Sequence, residues 1–219
     1  MRTQSFSYRA IFCRSSHAPD IVSALQRFRK KLFVDRLGWQ LDTPNGLEQD
    51  QFDTVDACHC ALYADNDIVG GFRALRTDGD YLVREVFPHL ATLRPYPSRA
   101  EVWEISRFGI LASHDQAYLA RLLYSLMFRF AFSRGATALV ALADLTYERY
   151  LTRIGIRTRR YGPPQIIGAD RHGRLLRGVV GEIPLAEQRG PKFDQLLSLA
   201  RALDVRDETS VRGSDRISA

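Results

Sequence analysis

The amino-acid sequence predicts an α/β fold, with a single domain in which a mixed central sheet is flanked by helices. Segments with a period-two apolar pattern alternate with segments whose apolar residues recur every three or four positions, as strands and helices require. The 219 residues are enough for one well-cored domain, and neither a linker nor a repeat divides them. The composition, with 45% hydrophobic and 26% charged residues, is ordinary for a globular domain.

The N-terminal half is predicted to contain one helix and four strands. The helix, Pro19–Phe33, begins with a proline that suits a first turn, and it carries an apolar stripe at helical spacing. A polar segment, 40–56, separates this helix from a hairpin and has the length that is typical of functional loops. The predicted strands are Tyr8–Cys13, Ala57–Tyr63, Ile68–Leu75 and Glu101–Phe108.

The clearest helix of the chain follows Ser113, which with Gln116 has the spacing of a capping box, and Gly135 is placed to end this helix. The remaining predicted elements are the strand Thr137–Ala143, the helix Thr146–Ile154, the strands Arg157–Tyr161 and Leu175–Ile183, and the helix Lys192–Leu203. We therefore assign residues 1–206 to the domain and expect the polar residues 207–219 to form a disordered tail.

The composition argues against several classes of protein. No run of about eighteen apolar residues lacks a charge, so we expect no transmembrane helix, and Met1–Phe12 is too polar for a secretory signal. A cytoplasmic protein is therefore expected. The three cysteines do not indicate a disulfide framework. Cys58 and Cys60 would face away from His59 on a strand, and no second ligand pair follows at zinc-like spacing, so no metal site is expected.

The net charge of +6 is concentrated in one region of the chain. Residues 149–177 contain eight arginines against a single acid, Asp170. Such a patch suits a polyanion or an acidic protein partner, and the alternative is a solvated basic face. No helix-turn-helix, zinc-finger or RNA-binding motif accompanies it, so we do not expect a nucleic-acid partner.

Three blocks of residues carry a resemblance to a known family. The first contains Arg29, Phe33, Leu37-Gly38-Trp39 and Glu48-Gln-Asp50-Gln-Phe-Asp53. The second is Gly70-Gly71-Phe72-Arg73-Ala-Leu75, with Phe87 after it. The third is Glu104-Ile-Ser106-Arg107-Phe108, and weaker matches follow at Arg153-Ile-Gly155 and Gly162-Pro-Pro164. Because the blocks occur in order and at fitting spacing, the chain resembles the acyl-homoserine-lactone synthases over roughly residues 25–170.

The order of the predicted elements also resembles the N-acetyltransferase superfamily. The pyrophosphate loop of that superfamily is rich in glycine, and its counterpart here is Gly109–Gln116. This stretch has a single glycine, so backbone cradling of a diphosphate is not indicated. An N-acetyltransferase that acts on a small amine with acetyl-CoA is the alternative enzyme, and the missing loop and the first block argue against it.

The resemblance to the synthases implies a two-step reaction. An acyl thioester, carried by acyl carrier protein or by CoA, acylates the amine of S-adenosylmethionine. The methionyl carboxylate then attacks its own γ-carbon and expels methylthioadenosine, so S-adenosylmethionine is a substrate and no cofactor is expected. The thioester oxyanion needs hydrogen-bond donors, which the sequence does not identify.

The resemblance also assigns residues to tasks. The expected catalytic residues are Glu104, as the base that accepts the proton of the amine, with Arg107, Asp50 and Asp53. The residues expected to bind S-adenosylmethionine are Arg29, Phe33, Trp39, Asp50, Arg107 and Phe108. The residues expected at the acyl chain or in support of the fold are Arg73, Phe87, Ser106 and Ala141. The residues expected to dock the acidic carrier are Arg153, Arg157, Arg159 and Arg160.

The charged side chains admit two interpretations. They form either a pocket for a zwitterionic substrate or an ion-pair network that pins the polar loop to the sheet. The set comprises Arg29, Asp50, Asp53, Arg73, Glu104 and Arg107. Glu104 is either the base or a partner of an arginine. Phe33 and Trp39 either cover the sulfonium or adenine of the substrate or belong to the core.

Two details of the sequence bear on geometry and specificity. Glu104 and Arg107 are three residues apart, so a regular strand points them to opposite faces, and one pocket can use both only if the strand bulges. Ala141 stands where synthases that use 3-oxo chains often have threonine, so we expect an unsubstituted acyl chain. Ile156 departs from the family, which usually has tryptophan there.

Overall fold

The computed structural model describes residues 6–111 and 115–209 of the chain. Nine strands in this part of the chain form one sheet, and five α-helices pack around it. The strands are β1 (Tyr8–Cys13), β2 (Cys58–Ala64), β3 (Asp67–Arg76), β4 (Val102–Ile110), β5 (Ala138–Asp144), β6 (Arg159–Arg160), β7 (Gln165–Ala169), β8 (Leu175–Pro184) and β9 (Asp204–Glu208). The helices are α1 (Pro19–Arg29), α2 (Leu82–Val86), α3 (Gln116–Ser133), α4 (Leu145–Arg153) and α5 (Pro191–Ser198). None of these helices is long and apolar enough to cross a membrane.

The strands run in the order β6-β8-β5-β4-β3-β2-β1-β9, and β7 pairs with β8. The pairs β1–β2, β2–β3 and β3–β4 are antiparallel, whereas β4 and β5 are parallel, which confirms the predicted mixed sheet. The β4–β5 pairing covers three residue pairs and ends at Glu104 and Val140. Both strands continue beyond that point, so they diverge and leave a cleft in the middle of the sheet.

The two faces of the sheet have different covers. Helix α3 buries a continuous apolar face against inward residues of the central strands, such as Phe72 and Trp103. On the opposite face, α1 packs against β1 and β2, and a second cluster forms around Tyr81 and Val140. Each strand therefore divides its side chains between a helical core and the face that carries Glu104, whose cross-strand neighbour is Val140.

The C-terminal end of α1 and the N-terminal end of α3 differ from those predicted. Helix α1 continues beyond Arg29 as a wider π-helical turn, Lys30–Arg36, so the helical segment is longer than Pro19–Phe33. Such turns are rare and often occur at functional sites. The predicted cap Ser113 lies outside the described residues. In the described part, Asp115 caps α3, because its carboxylate accepts a hydrogen bond from the backbone N–H of Tyr118 at 3.1 Å.

The C-terminal region corrects three predictions. The strand β9, Asp204–Glu208, pairs in parallel with β1, so the sheet extends past the predicted domain boundary at residue 206. Without β9, the edge of β1 would have unpaired backbone groups. The polar residues of β9 pair with these groups, although β9 has no apolar pattern of its own. Helix α5 ends at Ser198 rather than at Leu203, and the predicted strand 157–161 is reduced to the two residues of β6.

A β-bulge in β4 reconciles the spacing of Glu104 and Arg107. Gly71 pairs with Gly109 and Arg73 pairs with Ser106, so β4 has one more residue than β3 between these pairs. Arg107 has a φ of +53° and is the irregular residue. The extra residue turns its side chain to the face of Glu104, while Phe108 points to the α3 side and packs on Tyr124 at 4.4 Å between ring centroids.

We predict that Gly71→Ala lowers the free energy of unfolding by about 1–3 kcal/mol, the usual effect of overpacking. A Cβ at Gly71 would lie 2.6 Å from the carbonyl oxygen of Cys60 and 2.8 Å from Leu25, where α1 crosses the sheet. The matched control is Gly79→Ala, because nothing lies within 4 Å of a Cβ there, and its change should stay within about 0.5 kcal/mol. Urea unfolding of both variants measures the difference, and equal stabilities would contradict this account of the packing.

Candidate active site

Three arginines and three acids meet on the face of the sheet that carries Glu104. Arg29, at the end of α1, donates two hydrogen bonds to the carboxylate of Asp53 at 2.7 and 2.8 Å and a third to Glu48. Asp53 also lies 3.1 Å from Arg73 of β3, so it bridges two guanidinium groups. These contacts tie α1 to the polar loop and the loop to the sheet.

The other two arginines complete this charged cluster. Arg73 donates to Ser106 at 3.1 Å and to both carboxylate oxygens of Asp50. Arg107 donates to Glu48 at 3.0 Å and to Asp50 at 2.7 Å. Each acid thus contacts two arginines, and the charges cancel. We call this set the ion-pair network; its members are Arg29, Glu48, Asp50, Asp53, Arg73 and Arg107.

The ion-pair network is buried, and this determines the roles that its members can take. Arg73 and Glu48 are 0% exposed, whereas Asp50 keeps 17% of its side chain accessible. Burial opposes ionisation, but hydrogen bonds from Arg73 and the charge of Arg107 hold the pKa of Asp50 below its usual value. Arg29 and Arg73 do the same for the pKa of Asp53. Both aspartates are therefore ionised and pin the loop to the sheet.

The network corrects one assignment made from the sequence. Its third acid is Glu48, which belongs to the first motif but was not among the candidate site residues. Glu104 has no ion pair among the described residues; its two oxygens accept backbone N–H groups of Leu82 at 3.1 Å and Val83 at 2.8 Å, at the start of α2. The spacing Glu48-x-Asp50-x-x-Asp53 was the feature of the sequence from which Glu48 could have been included.

Glu104 is a buried carboxyl group held by the backbone. Its side chain is fully buried, and burial raises its pKa, although the hydrogen bonds from Val83 and Leu82 act in the opposite direction. A raised pKa makes the carboxylate a stronger base than an exposed glutamate. Glu104 also occupies the last residue pair before β4 and β5 diverge, so its carboxyl group stands at the bottom of the cleft.

Phe33 and Trp39 form a stacked pair beside the network. Their ring centroids are 4.8 Å apart at an interplanar angle of 23°, and the backbone N–H of Trp39 donates to the carbonyl of Phe33 at 2.9 Å. Phe33 is buried, while Trp39 is partly exposed and offers its ring as a surface. Gly38, with a φ of +73°, makes this turn, and its carbonyl accepts the backbone N–H of Arg171 from the β7–β8 turn at 3.1 Å.

A cavity of about 710 Å³ lies on the other side of the cleft, between the end of β4, α3 and α4. Phe33 and Phe108, both predicted to bind S-adenosylmethionine, are part of its wall. The wall is otherwise mostly apolar or aromatic and includes Leu32, Ile110, Ala120, Tyr124, Tyr147 and Tyr150. Three arginines line it as well; they are Arg36, Arg149 and Arg153.

The structure separates the arginines that were predicted to dock a carrier. Arg153 lines the cavity. Arg159 forms an ion pair with Glu187, and Arg160 forms one with Glu148, so their charges are neutralised by acids from other parts of the chain. Arg157 is anchored through its backbone, which exchanges two hydrogen bonds with Gln188 at 2.9 Å.

The remaining predicted residues lie around the cleft. Ser106 orients Arg73. Phe87 is half-buried after α2, and its carbonyl accepts the hydroxyl of Tyr96 at 3.0 Å. Ala141 is the first residue of β5 beyond the pairing with β4, is half-buried and pairs with Gly181 of β8. The prediction from Ala141, that the acyl chain of the substrate has no 3-oxo group, stays a prediction.

His59 is a residue of this region that the sequence did not single out. It lies directly opposite Arg73 on β2, on the face of the ion-pair network, whereas Cys58 and Cys60 point into the α3 core. Burial, together with the charges of Arg29 and Arg73, lowers the pKa of His59 to about 3. The imidazole is therefore neutral beside the network.

We predict that His59 makes the protein less stable in mild acid. The folded protein binds this proton only near pH 3, whereas the unfolded chain binds it near pH 6.5, so the free energy of unfolding falls as pH falls below 6.5. From pH 7.5 to pH 5 the contribution is about 2 kcal/mol. Chemical denaturation of the wild type and His59→Gln at the two pH values isolates the contribution of His59. An identical loss of unfolding free energy in the two proteins would contradict the prediction.

Comparisons with known proteins identify the family of this chain. The family model described as autoinducer synthase matches residues 14–174. The acyl-homoserine-lactone synthase of Acinetobacter nosocomialis is 34% identical over 164 residues, which cover 70% of this chain and 90% of that protein. The acyl-homoserine-lactone synthase of Pseudomonas aeruginosa is 32% identical over 153 residues, covering 68% and 75% of the two chains.

Solved structures show the same architecture. TofI, in a ternary complex with an inhibitor and MTA, is 30% identical, with a TM-score of 0.71 and coverage of 87% of this chain and 99% of that one. The CoA-dependent acyl-homoserine lactone synthase BjaI, with SAM and isopentyl-CoA, has a TM-score of 0.80 over 93% and 95% of the chains, but at 21% identity it shows the fold alone. A putative N-acetyltransferase from Lactobacillus plantarum, 18% identical over 82% of this chain and 99% of that one, has a TM-score of 0.53, which accounts for the resemblance to that superfamily. The chain belongs to the acyl-homoserine-lactone synthase family of autoinducer synthases.

Proposed function

We propose that this protein transfers an acyl group from a thioester to the amine of S-adenosylmethionine and closes the lactone ring with release of methylthioadenosine. The observation that carries the proposal is Glu104, a buried carboxylate without an ion-pair partner among the described residues, at the bottom of the cleft between β4 and β5. Solved relatives that contain SAM, MTA or isopentyl-CoA support both substrates. A cytoplasmic location is part of the proposal.

The two substrates approach the cleft from opposite faces of the sheet. S-adenosylmethionine, with its carboxylate, amine and sulfonium, suits the face with the partly exposed Asp50 and the ring of Trp39. The acyl thioester suits the apolar cavity on the α3 side. The bulge in β4 separates these environments, because it sends Arg107 to the first and Phe108 to the second. Phe108 is thus proposed for the donor side and not, as the resemblance implied, for the binding of S-adenosylmethionine.

In the first step, Glu104 accepts a proton from the amine, directly or through one water. A free α-amine titrates near about 7.7–8.0, so a mild base suffices. The amine nitrogen bonds to the thioester carbon, and the carbon–sulfur bond breaks to release the thiol. In the second step, the methionyl carboxylate bonds to its γ-carbon while the sulfonium departs with its electron pair. Positioning is sufficient for this step, and we propose that no cofactor takes part.

We predict that Glu104→Gln lowers the rate of amide formation by about 10²–10⁴-fold, the range for loss of a general base. S-adenosylmethionine should still bind, since the ion-pair network does not include Glu104. Glu85→Gln, on α2 and half-exposed, is the matched control for a lost carboxylate. Single-turnover release of methylthioadenosine, together with calorimetric binding of S-adenosylmethionine, provides the test. Turnover near the wild-type rate in Glu104→Gln would remove Glu104 as the base.

We predict that the cavity arginines attract the acyl donor, rather than the paired arginines of β6. Arg149→Glu with Arg153→Glu should raise the donor KM at low salt, and the effect should shrink as salt screens it. Arg159→Glu with Arg160→Glu is the matched control, because it makes the same change of total charge at paired arginines outside the cavity.

The donor experiment uses steady-state kinetics with acyl carrier protein and CoA thioesters, with saturating S-adenosylmethionine. The KM for S-adenosylmethionine should not change in either double variant. If both pairs of arginines affect the donor KM equally, the cavity mouth is not the docking site, and the basic region acts only through its total charge.

A further inference from the structure

Tyr150 has a hydroxyl group that the protein leaves without a partner. The hydroxyl is shielded from solvent and has no hydrogen-bond partner in the described residues. Among those residues, the indole N–H of Trp103 is the other such group, and its ring lies edge-on to Phe130 in the α3 core. A buried polar group without a partner costs about 1–3 kcal/mol, so each needs an explanation.

The location of Tyr150 provides that explanation. The residue lies on α4 in the wall of the cavity, where its ring packs 6.0 Å from that of Tyr124 and the guanidinium of Arg153 lies 5.4 Å from its ring centroid. Burial raises the pKa of Tyr150, although Arg121 and Arg153 act in the opposite direction. The hydroxyl therefore keeps its proton and is able to donate a hydrogen bond.

A phenylalanine at this position would fill the same space without an unsatisfied hydroxyl. The cavity, however, is the site proposed for the acyl thioester, and the pantetheine arm that carries the acyl group has two amide carbonyls. We propose that the side chain of Tyr150 shifts as the donor enters, so that its covered hydroxyl donates a hydrogen bond to an amide carbonyl of this arm and positions the donor in the cavity. The proposal rests on the proposed function, and it holds for acyl carrier protein and CoA alike because both donors contain the arm.

The test compares Tyr150→Phe with wild type on two donors that differ only in the arm. S-hexanoyl-pantetheine contains both amides, and the S-ethyl thioester of hexanoic acid contains neither. With the first donor, kcat/KM should fall about twofold to tenfold, as expected for one neutral hydrogen bond, and with the second it should not change. Tyr63→Phe, on β2 and outside the cavity wall, is the control and should have no effect with either donor.

Each other outcome overturns the proposal. An equal loss with both donors would place the hydroxyl at the thioester carbonyl, and no loss with either would mean that the hydroxyl stays covered and does not contact the donor. A lower thermal midpoint for Tyr150→Phe would indicate a structural partner, because removal of an unsatisfied hydroxyl should leave stability unchanged or raise it.

The two proposals fail in distinguishable ways. If the wild type releases no methylthioadenosine with either donor or with an acyl carrier protein thioester, the proposed function is wrong. The role of Tyr150 is then decided by calorimetry with pantetheine itself, for which Tyr150→Phe should bind at least twofold more weakly than wild type. Equal affinities, or no binding to either protein, would overturn the role of Tyr150.

Discussion

The pairing of three buried arginines with three buried acids is the constraint on which the site depends. Charges that leave water are costly unless they are paired, and here each acid contacts two guanidinium groups. The network joins the end of α1, the polar loop, β3 and β4, so it fixes the positions of these four elements relative to one another. Removing one member would leave an uncompensated charge, at about 3–5 kcal/mol. Loss of activity in a variant of Asp53 or Arg73 would therefore report on folding as well as on catalysis.

The network also explains how a strained residue persists in a central strand. Arg107 has a positive φ, which is unfavourable for any residue other than glycine, yet the bulge depends on it. Its guanidinium is held by Glu48 and Asp50, and these charge-assisted bonds offset the backbone cost. The bulge in turn sends Phe108 into the cavity. One local irregularity thus places a charged face and an apolar cavity on either side of the same strand.

Those parts of the fold that local patterns determine were predictable from the sequence. The helix α3 follows from its apolar period, and the β2–β3 hairpin from two short strands around a polar turn. The strand β9 was not predictable, because its polar residues form a strand only against the edge of β1, almost two hundred residues earlier in the chain. Strand pairing between distant segments has no local signature.

The sequence indicated most of the charged residues of the candidate site but not their partners, and it missed Glu48. The motifs located Glu104, Asp50, Asp53 and Arg107 on or beside one strand, but no glycine marks the bulge at Arg107. Glu104 stays out of the network because the backbone of α2 supplies its hydrogen bonds. This contact joins Val83 and Glu104, which are twenty-one residues apart in the chain. For the same reason, the eight arginines of 149–177 gave no indication that Glu148 and Glu187 neutralise two of them.

Because Glu104 is not paired with an arginine in the described part of the chain, its charge alone determines the net charge of the site. The six network charges cancel, so an ionised Glu104 leaves the site with one negative charge. S-adenosylmethionine with a protonated amine carries one net positive charge, and the proton transfer to Glu104 that we propose would leave both partners neutral overall. A buried environment favours neutral partners over separated charges, and the same burial raises the pKa of Glu104. The N–H groups of Leu82 and Val83 orient the carboxylate without the full positive charge of an arginine, which would make it a weaker base.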